Sequence, residues 1–248
     1  MKFSQVCSYF WRLLKNKKSL IFLFSIILFD KVNLFFQYYF FRQEIGDLMS
    51  LLLGNRGILM GGFNGVSLLF YFIPIFVITT FLEEKMEYPY FILHSGSRMK
   101  LVKNKVLLIG LVVVFLTLFI FIDMIFTHYL FKLLLYRKTI FFSVAYFSIF
   151  KLFLLKLLQY FFLGNSILIL NYLVRMKFIS WLILWTVALF MLLLPVGKWS
   201  LFFFIEQETI IHIPSFFPTL FYLFVVNLVL YFCLSVTGRS VSFNVESD

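Results

Sequence analysis

Residues 83–126 read EEKMEYPYFILHSGSRMKLVKNKVLLIGLVVVFLTLFIFIDMIF, and the change of character inside them sets the fold. The first part, Glu83 to Lys105, is the densest block of charge in an otherwise apolar chain. Glu83, Glu84 and Glu87 close a preceding apolar run. Pro89 ends any helix there, because it has no N–H to donate and it disfavours helical geometry at Tyr88. Phe91, Ile92 and Leu93 form an apolar patch too short to cross a bilayer. Ser95, Gly96 and Ser97 make a turn, and Ser97 is placed to cap the next helix. Arg98, Lys100, Lys103 and Lys105 follow, and an unbroken apolar run then leads from Val106 to Phe126. The stretch is a polar loop with its own short helix, held at a membrane surface by two spans. Its basic residues suit an inner-leaflet face.

The rest of the chain has the same alternation. Hydrophobic residues make up 62% of the 248 and charged ones 13%, against about 45–50% and about 25% in soluble domains. A soluble globular fold is excluded. At about 20 residues per span plus loops, the length accommodates roughly six helices. A β-barrel would alternate polar and apolar positions, whereas the apolar residues here come in blocks. The net charge of +11 is read as inside-facing basic loops with an attraction to anionic lipid, not as a nucleic-acid surface. The 38 phenylalanines point to an AT-rich genome, and so to a low-GC bacterium. Cys7 and Cys233 both fall on the expected cytoplasmic side, which argues against a disulfide or a zinc site.

The expected architecture is an all-α integral membrane protein. Residues 1–18 carry Phe3, Val6, Phe10, Leu13 and Leu14 on one helical face among five basic residues. They read as an amphipathic helix lying in the headgroup plane. Six spans follow at about 19–41, 66–82, 106–126, 151–174, 178–196 and 219–236, with a tail at 237–248. In the first span, Asp30, Asn33 and Gln37 fall at i, i+3 and i+7 and share a stripe. Such a stripe either stabilises the bundle or lines a substrate pathway. Gly54, Gly57, Gly61, Gly62 and Gly65 crowd the following outer loop, and Pro74 kinks the second span. Asp123 lies near the outer end of the third span, where partial hydration and a structural role are expected. Tyr129–Lys138 reads as outer loop, and 139–150 as an interfacial or re-entrant piece. Lys151 and Lys156 are expected to snorkel outward from the fourth span, which also holds Gln159, Asn165 and Asn171. Lys198–Pro218 is a further outer segment, and Asn227 lies in the last span.

Counting Lys and Arg places thirteen in the inner segments, six in the outer loops and three in spans. That asymmetry puts both termini in the cytoplasm of a plasma-membrane protein. There is no GxxxxGK[ST] to cradle nucleotide phosphates and no HExxH. Tyr88 stands where an EExxxR hydrolase motif needs arginine, and the histidines at 94, 128 and 212 fall on opposite faces. The chain is therefore not expected to be an enzyme.

An apolar span, the Glu83–Glu84 pair and a Ser97-Arg98-x-Lys100 run ahead of the next span together resemble the first cytoplasmic loop of ABC type-2 exporter permeases. The amphipathic WRLLKNKK entry and the six spans are similar to that family too. His94 stands where members often carry Arg, and Tyr88–Pro89 where they often carry Gly. The resemblance implies that Glu83, Glu84, Tyr88, Ser97, Arg98, Lys100 and Lys103 form a loop coupled to a separate ABC ATPase subunit, which would hold ATP and Mg. It also implies a second permease subunit, identical or related, and a seam lined by Asp30, Asn33 and Gln37. The aromatic content and basic outer loops fit an amphipathic peptide, such as a bacteriocin, or a lipid-like cargo. The competing reading is a non-transporting membrane protein, an immunity or assembly factor that binds its partner within the bilayer. No nucleic-acid partner is expected, and no cofactor or metal on this chain.

Overall fold

The computed structural model describes residues 97–136, 146–174, 176–193 and 213–240, with ten single positions between Cys7 and Val32. Four helices carry the described part: α1 (Arg98–Tyr136), α2 (Tyr146–Val174), α3 (Lys177–Leu193) and α4 (Ile213–Ser240). Three of them, α1, α2 and α4, are long and apolar enough to cross a membrane. The described part is thus compatible with an all-α membrane protein. Helices suit such a chain because each satisfies its backbone donors and acceptors internally, with no water needed.

The start of α1 follows the sequence signal. The Lys100 backbone N–H donates to Ser97 Oγ at 3.3 Å, and Leu101 N–H donates to the Ser97 carbonyl at 3.1 Å. Ser97 is therefore the N-cap. Ser97→Ala is expected to cost about 1 kcal/mol, read as faster amide exchange at Lys100 and Leu101 with the rest of α1 unchanged.

The length of α1 differs from expectation. Its 39 residues measure roughly 58 Å, against a hydrocarbon core of about 30 Å. Arg98–Lys105 is not loop but the opening turns of the same helix. Tyr129–Tyr136 is not outer loop but the helix's continuation. The reason is local: 127–136 contains no Pro or Gly, and four leucines favour the helix. Likewise, α2 begins at Tyr146 rather than Lys151, so 146–150 belongs to it. Residues 139–145, the rest of the piece expected at the interface, lie outside the described residues. In α4 the helix takes in 213–218, which the sequence reading assigned to the outer loop. Pro214 falls in the first turn, where N–H groups have no intrahelical partner, whereas Pro218 lies inside the helix and forgoes the bond to the Pro214 carbonyl.

Contacts fix the relative directions. Lys105 Nζ lies 5.0 Å from the Tyr172 ring centre, and Phe121 meets Phe153 edge-on at 5.4 Å. Residue numbers rise on α1 as they fall on α2, so the two run antiparallel. On the other side, Lys151 Nζ lies 5.4 Å from the Phe216 ring centre, and Asn227 bonds Leu158. Numbers rise together, so α2 and α4 run parallel. The amino end of α1 therefore shares one end of the bundle with the carboxyl ends of α2 and α4. Met176 and Lys177 turn the chain from α2 into α3 at that same end, and Ser180 bonds back to the Met176 carbonyl through both N–H and Oγ.

Helix α2 is the central element. It packs against α1, α3 and α4, and every residue from Phe162 to Leu168 is buried. Leu108, Val113 and Leu116 of α1, Leu152, Leu155 and Leu163 of α2, and Leu223 and Leu234 of α4 make the core. At Gly110 the α1 backbone meets a side chain of α2: an added Cβ would sit 3.4 Å from Phe161 Cε2. Gly110→Ala is expected to be tolerated, since that is contact and not overlap. Gly110→Leu must push Phe161 aside, and should cost about 1–3 kcal/mol, read from unfolding midpoints of both variants in detergent.

At the amino end, Cys7, Ser8, Phe10 and Trp11 are helical and Lys15 lies in a turn, its N–H bonded to the Trp11 carbonyl at 3.2 Å. Phe10 packs edge-on against Phe115 of α1 at 5.9 Å. Ile21, Phe24, Leu28 and Val32 are helical and exposed, one apolar stripe at helical spacing. The first loop ahead of Ser97 and the second span lie outside the described residues.

Candidate functional site

Two features of the described residues carry chemistry: a set of polar side chains inside the bundle, and a basic rim at one end. Hydroxyls account for part of the first set. Thr117 donates to the Val113 carbonyl at 2.7 Å and Thr219 to that of Ser215 at 2.9 Å. Such bonds to the preceding turn let hydroxyls sit in apolar surroundings at little cost.

The charged and amide groups are less ordinary. Lys151 is 4% and Lys156 1% exposed, so the expected outward snorkelling does not occur. The physical reason is the position of α2. A lysine can trail along a helix surface only if that surface borders lipid or water, and these two sit on packed parts of α2, whose exposed residues are Phe147, Phe150 and Leu173. Lys151 instead sits among aromatic faces, its Nζ 4.6 Å from the Phe147 ring centre and 5.4 Å from that of Phe216. Lys156 Nζ donates to Gln159 Oε1 at 3.1 Å. Asp123, expected to be partly hydrated, is 9% exposed. The Phe121–Phe153 contact puts it in the same layer as Lys151, two residues on along α1 and two back along the antiparallel α2.

Direction around α2 sorts these groups. Lys151, Leu158 and Asn165 are seven residues apart and share one face. At Lys151 and Leu158 that face is turned to α4, and seven residues past Asn165 its Tyr172 meets Lys105 of α1. Asn227 Nδ2 donates both hydrogens, to the Leu158 carbonyl at 3.0 Å and to the Leu223 carbonyl at 2.8 Å, and so ties α4 to α2. Two turns further along the same face, Asn165 is fully buried, and neither its Oδ1 nor its Nδ2 has a partner. Lys156 and Gln159 lie on a different flank, turned away from the contacts with both α1 and α4.

The basic rim is at the end where α1 begins. Arg98 opens α1; Lys100 and Lys103 are exposed; Lys105 is buried under Tyr172; Lys177 opens α3. Of the residues expected to act in coupling, Ser97, Arg98, Lys100 and Lys103 therefore form the cap and first turns of α1. Glu83, Glu84 and Tyr88 lie outside the described residues, as do Asp30, Asn33 and Gln37 of the expected substrate stripe. Asn165 was legible only as a polar position in a span. Its sequence signal was the seven-residue repeat with Lys151 and Leu158, which becomes informative once α4 is known to lie along it. Among the described residues no three His, Cys, Asp or Glu side chains come together as a metal site would require.

No family model, curated protein or solved structure matches the chain.

Proposed function

We propose that the chain is the transmembrane subunit of an ATP-driven exporter that moves an amphipathic peptide or lipid-like cargo out of the cell. Its ATP and Mg would be bound by a separate ATPase subunit. The carrying observation is the continuity of α1. The loop expected to meet the ATPase ends at Ser97, and from Arg98 onward the chain is one capped helix of 39 residues. A displacement applied at the loop is then delivered to the bundle through a rigid rod instead of being lost in a flexible linker. The rod packs directly on α2, which holds the buried polar set. The basic rim at the loop end supports a cytoplasmic placement of that end, and with it cytoplasmic termini. The exposed phenylalanines of α4, Phe217, Phe221, Phe224 and Phe232, offer an apolar face for lipid or for a second permease subunit.

The test is co-purification of the tagged full-length chain from its native membrane, with partners identified by mass spectrometry and ATP turnover measured. An ATPase subunit should accompany the wild-type chain. Glu83→Ala/Glu84→Ala and Arg98→Ala should each lower coupled turnover by about tenfold. Recovery of the chain without any ATPase would overturn the proposal in favour of a non-transporting immunity or assembly protein.

A further inference from the structure

The exposed side of α1 is a single stripe. Lys100, Leu107, Val114, Leu118, Ile122 and Phe126 follow one another at steps of four or seven residues, and all but the half-buried Leu107 are exposed. From Leu107 to Phe126 the stripe is purely apolar and measures about 28 Å at ~1.5 Å per residue, which matches a hydrocarbon core of about 30 Å. Continued toward the amino end, the same side carries Lys103 about 6 Å and Lys100 about 10 Å beyond Leu107. That is the depth of the headgroup layer, given a bilayer of about 40–45 Å with headgroups included. Two exposed ammonium groups thus stand where phosphodiester groups lie, on the side of the helix that faces lipid.

We infer that Lys100 and Lys103 bind the phosphate of an anionic phospholipid. This assigns the two lysines to lipid and not to the ATPase subunit, and it depends only on the helix crossing a bilayer. The two lysines are one helical turn apart on the same side, so one lipid phosphate lies within reach of both flexible side chains. The contact would fix the depth of α1, and the rod's starting position with it.

The experiment uses the purified full-length chain in neutral detergent, titrated with phosphatidylglycerol, phosphatidylcholine or inorganic phosphate and followed by native mass spectrometry. Phosphatidylglycerol should bind and phosphatidylcholine should not. Each lysine removed should weaken binding about fivefold, so that Lys100→Gln/Lys103→Gln loses about 25-fold. Lys100→Arg/Lys103→Arg should retain binding, and Lys132→Gln, at the other end of α1, should leave it unchanged. The unfolding midpoint without lipid should be the same for all, since the two lysines are exposed. Equal binding of the two lipids, undiminished binding by the double glutamine variant, or displacement by millimolar inorganic phosphate would each overturn the inference. So would a double variant that keeps its lipid but loses an ATPase subunit, which would return the lysines to coupling. Absence of any ATPase subunit would sink the transport proposal and leave the lipid contact standing.

Discussion

Lys156→Glu is expected to be the most damaging single substitution in the described bundle, at about 3–5 kcal/mol. Lys156 is enclosed on α2, and its ammonium donates to Gln159 Oε1. Glutamate in its place removes the donor and sets a buried anion beside an amide oxygen, with no lipid or water border to escape along. Lys156→Met separates charge from shape. It keeps the length of the side chain, abolishes the charge and removes one hydrogen bond to the Gln159 oxygen, at about 1–3 kcal/mol. The ordering Lys156→Glu below Lys156→Met would be read from unfolding midpoints in one detergent. A Lys156→Glu chain as stable as wild type would show that Lys156 is not enclosed as described.

The second large effect has the opposite sign. Asn165→Leu is expected to stabilise the chain by about 1–3 kcal/mol, because a buried amide with neither end satisfied carries its full desolvation cost, and a leucine of similar volume does not. Under the transport proposal the same variant should lose export by tenfold or more. A group kept unsatisfied in a well-packed interface is then being retained for a polar cargo or for a second arrangement of α2 and α4. Increased stability with full activity would make Asn165 a tolerated packing flaw. Decreased stability would mean that the amide has a partner after all, with ordered water the first to look for by high-resolution imaging.

How far the chain could be read without coordinates follows from the same residues. Hydropathy and punctuation located the helices: Ser97 as a cap, the apolar run after Lys105, the turn at Met176 and a final apolar helix were all legible. Helix ends were less so, since a segment such as 127–136 is polar enough to resemble a loop yet has nothing that breaks a helix. The largest error concerned Lys151 and Lys156. Snorkelling is a sound expectation for a peripheral helix, but no feature local to α2 marks which of its positions are covered. That property belongs to the assembled bundle, in which α2 has more helix neighbours than any other described helix. The direction of Asn165 had the same limitation, because a seven-residue repeat has meaning only when something lies along it. The loop residues Glu83, Glu84 and Tyr88 and the stripe Asp30, Asn33 and Gln37 lie outside the described residues, so the case for them remains the sequence pattern.

The unbroken extension of α1 past Phe126 has a practical consequence for imaging. About ten residues, or roughly 15 Å of helix, continue beyond the stripe that matches the bilayer. A chain of 29.6 kDa is otherwise a poor particle, because the detergent belt hides most of its mass. Splicing a helical carrier protein in register onto the Tyr136 end would give a rigid handle whose orientation reports the tilt of α1 directly, so that two functional states could be told apart by the angle of the handle alone.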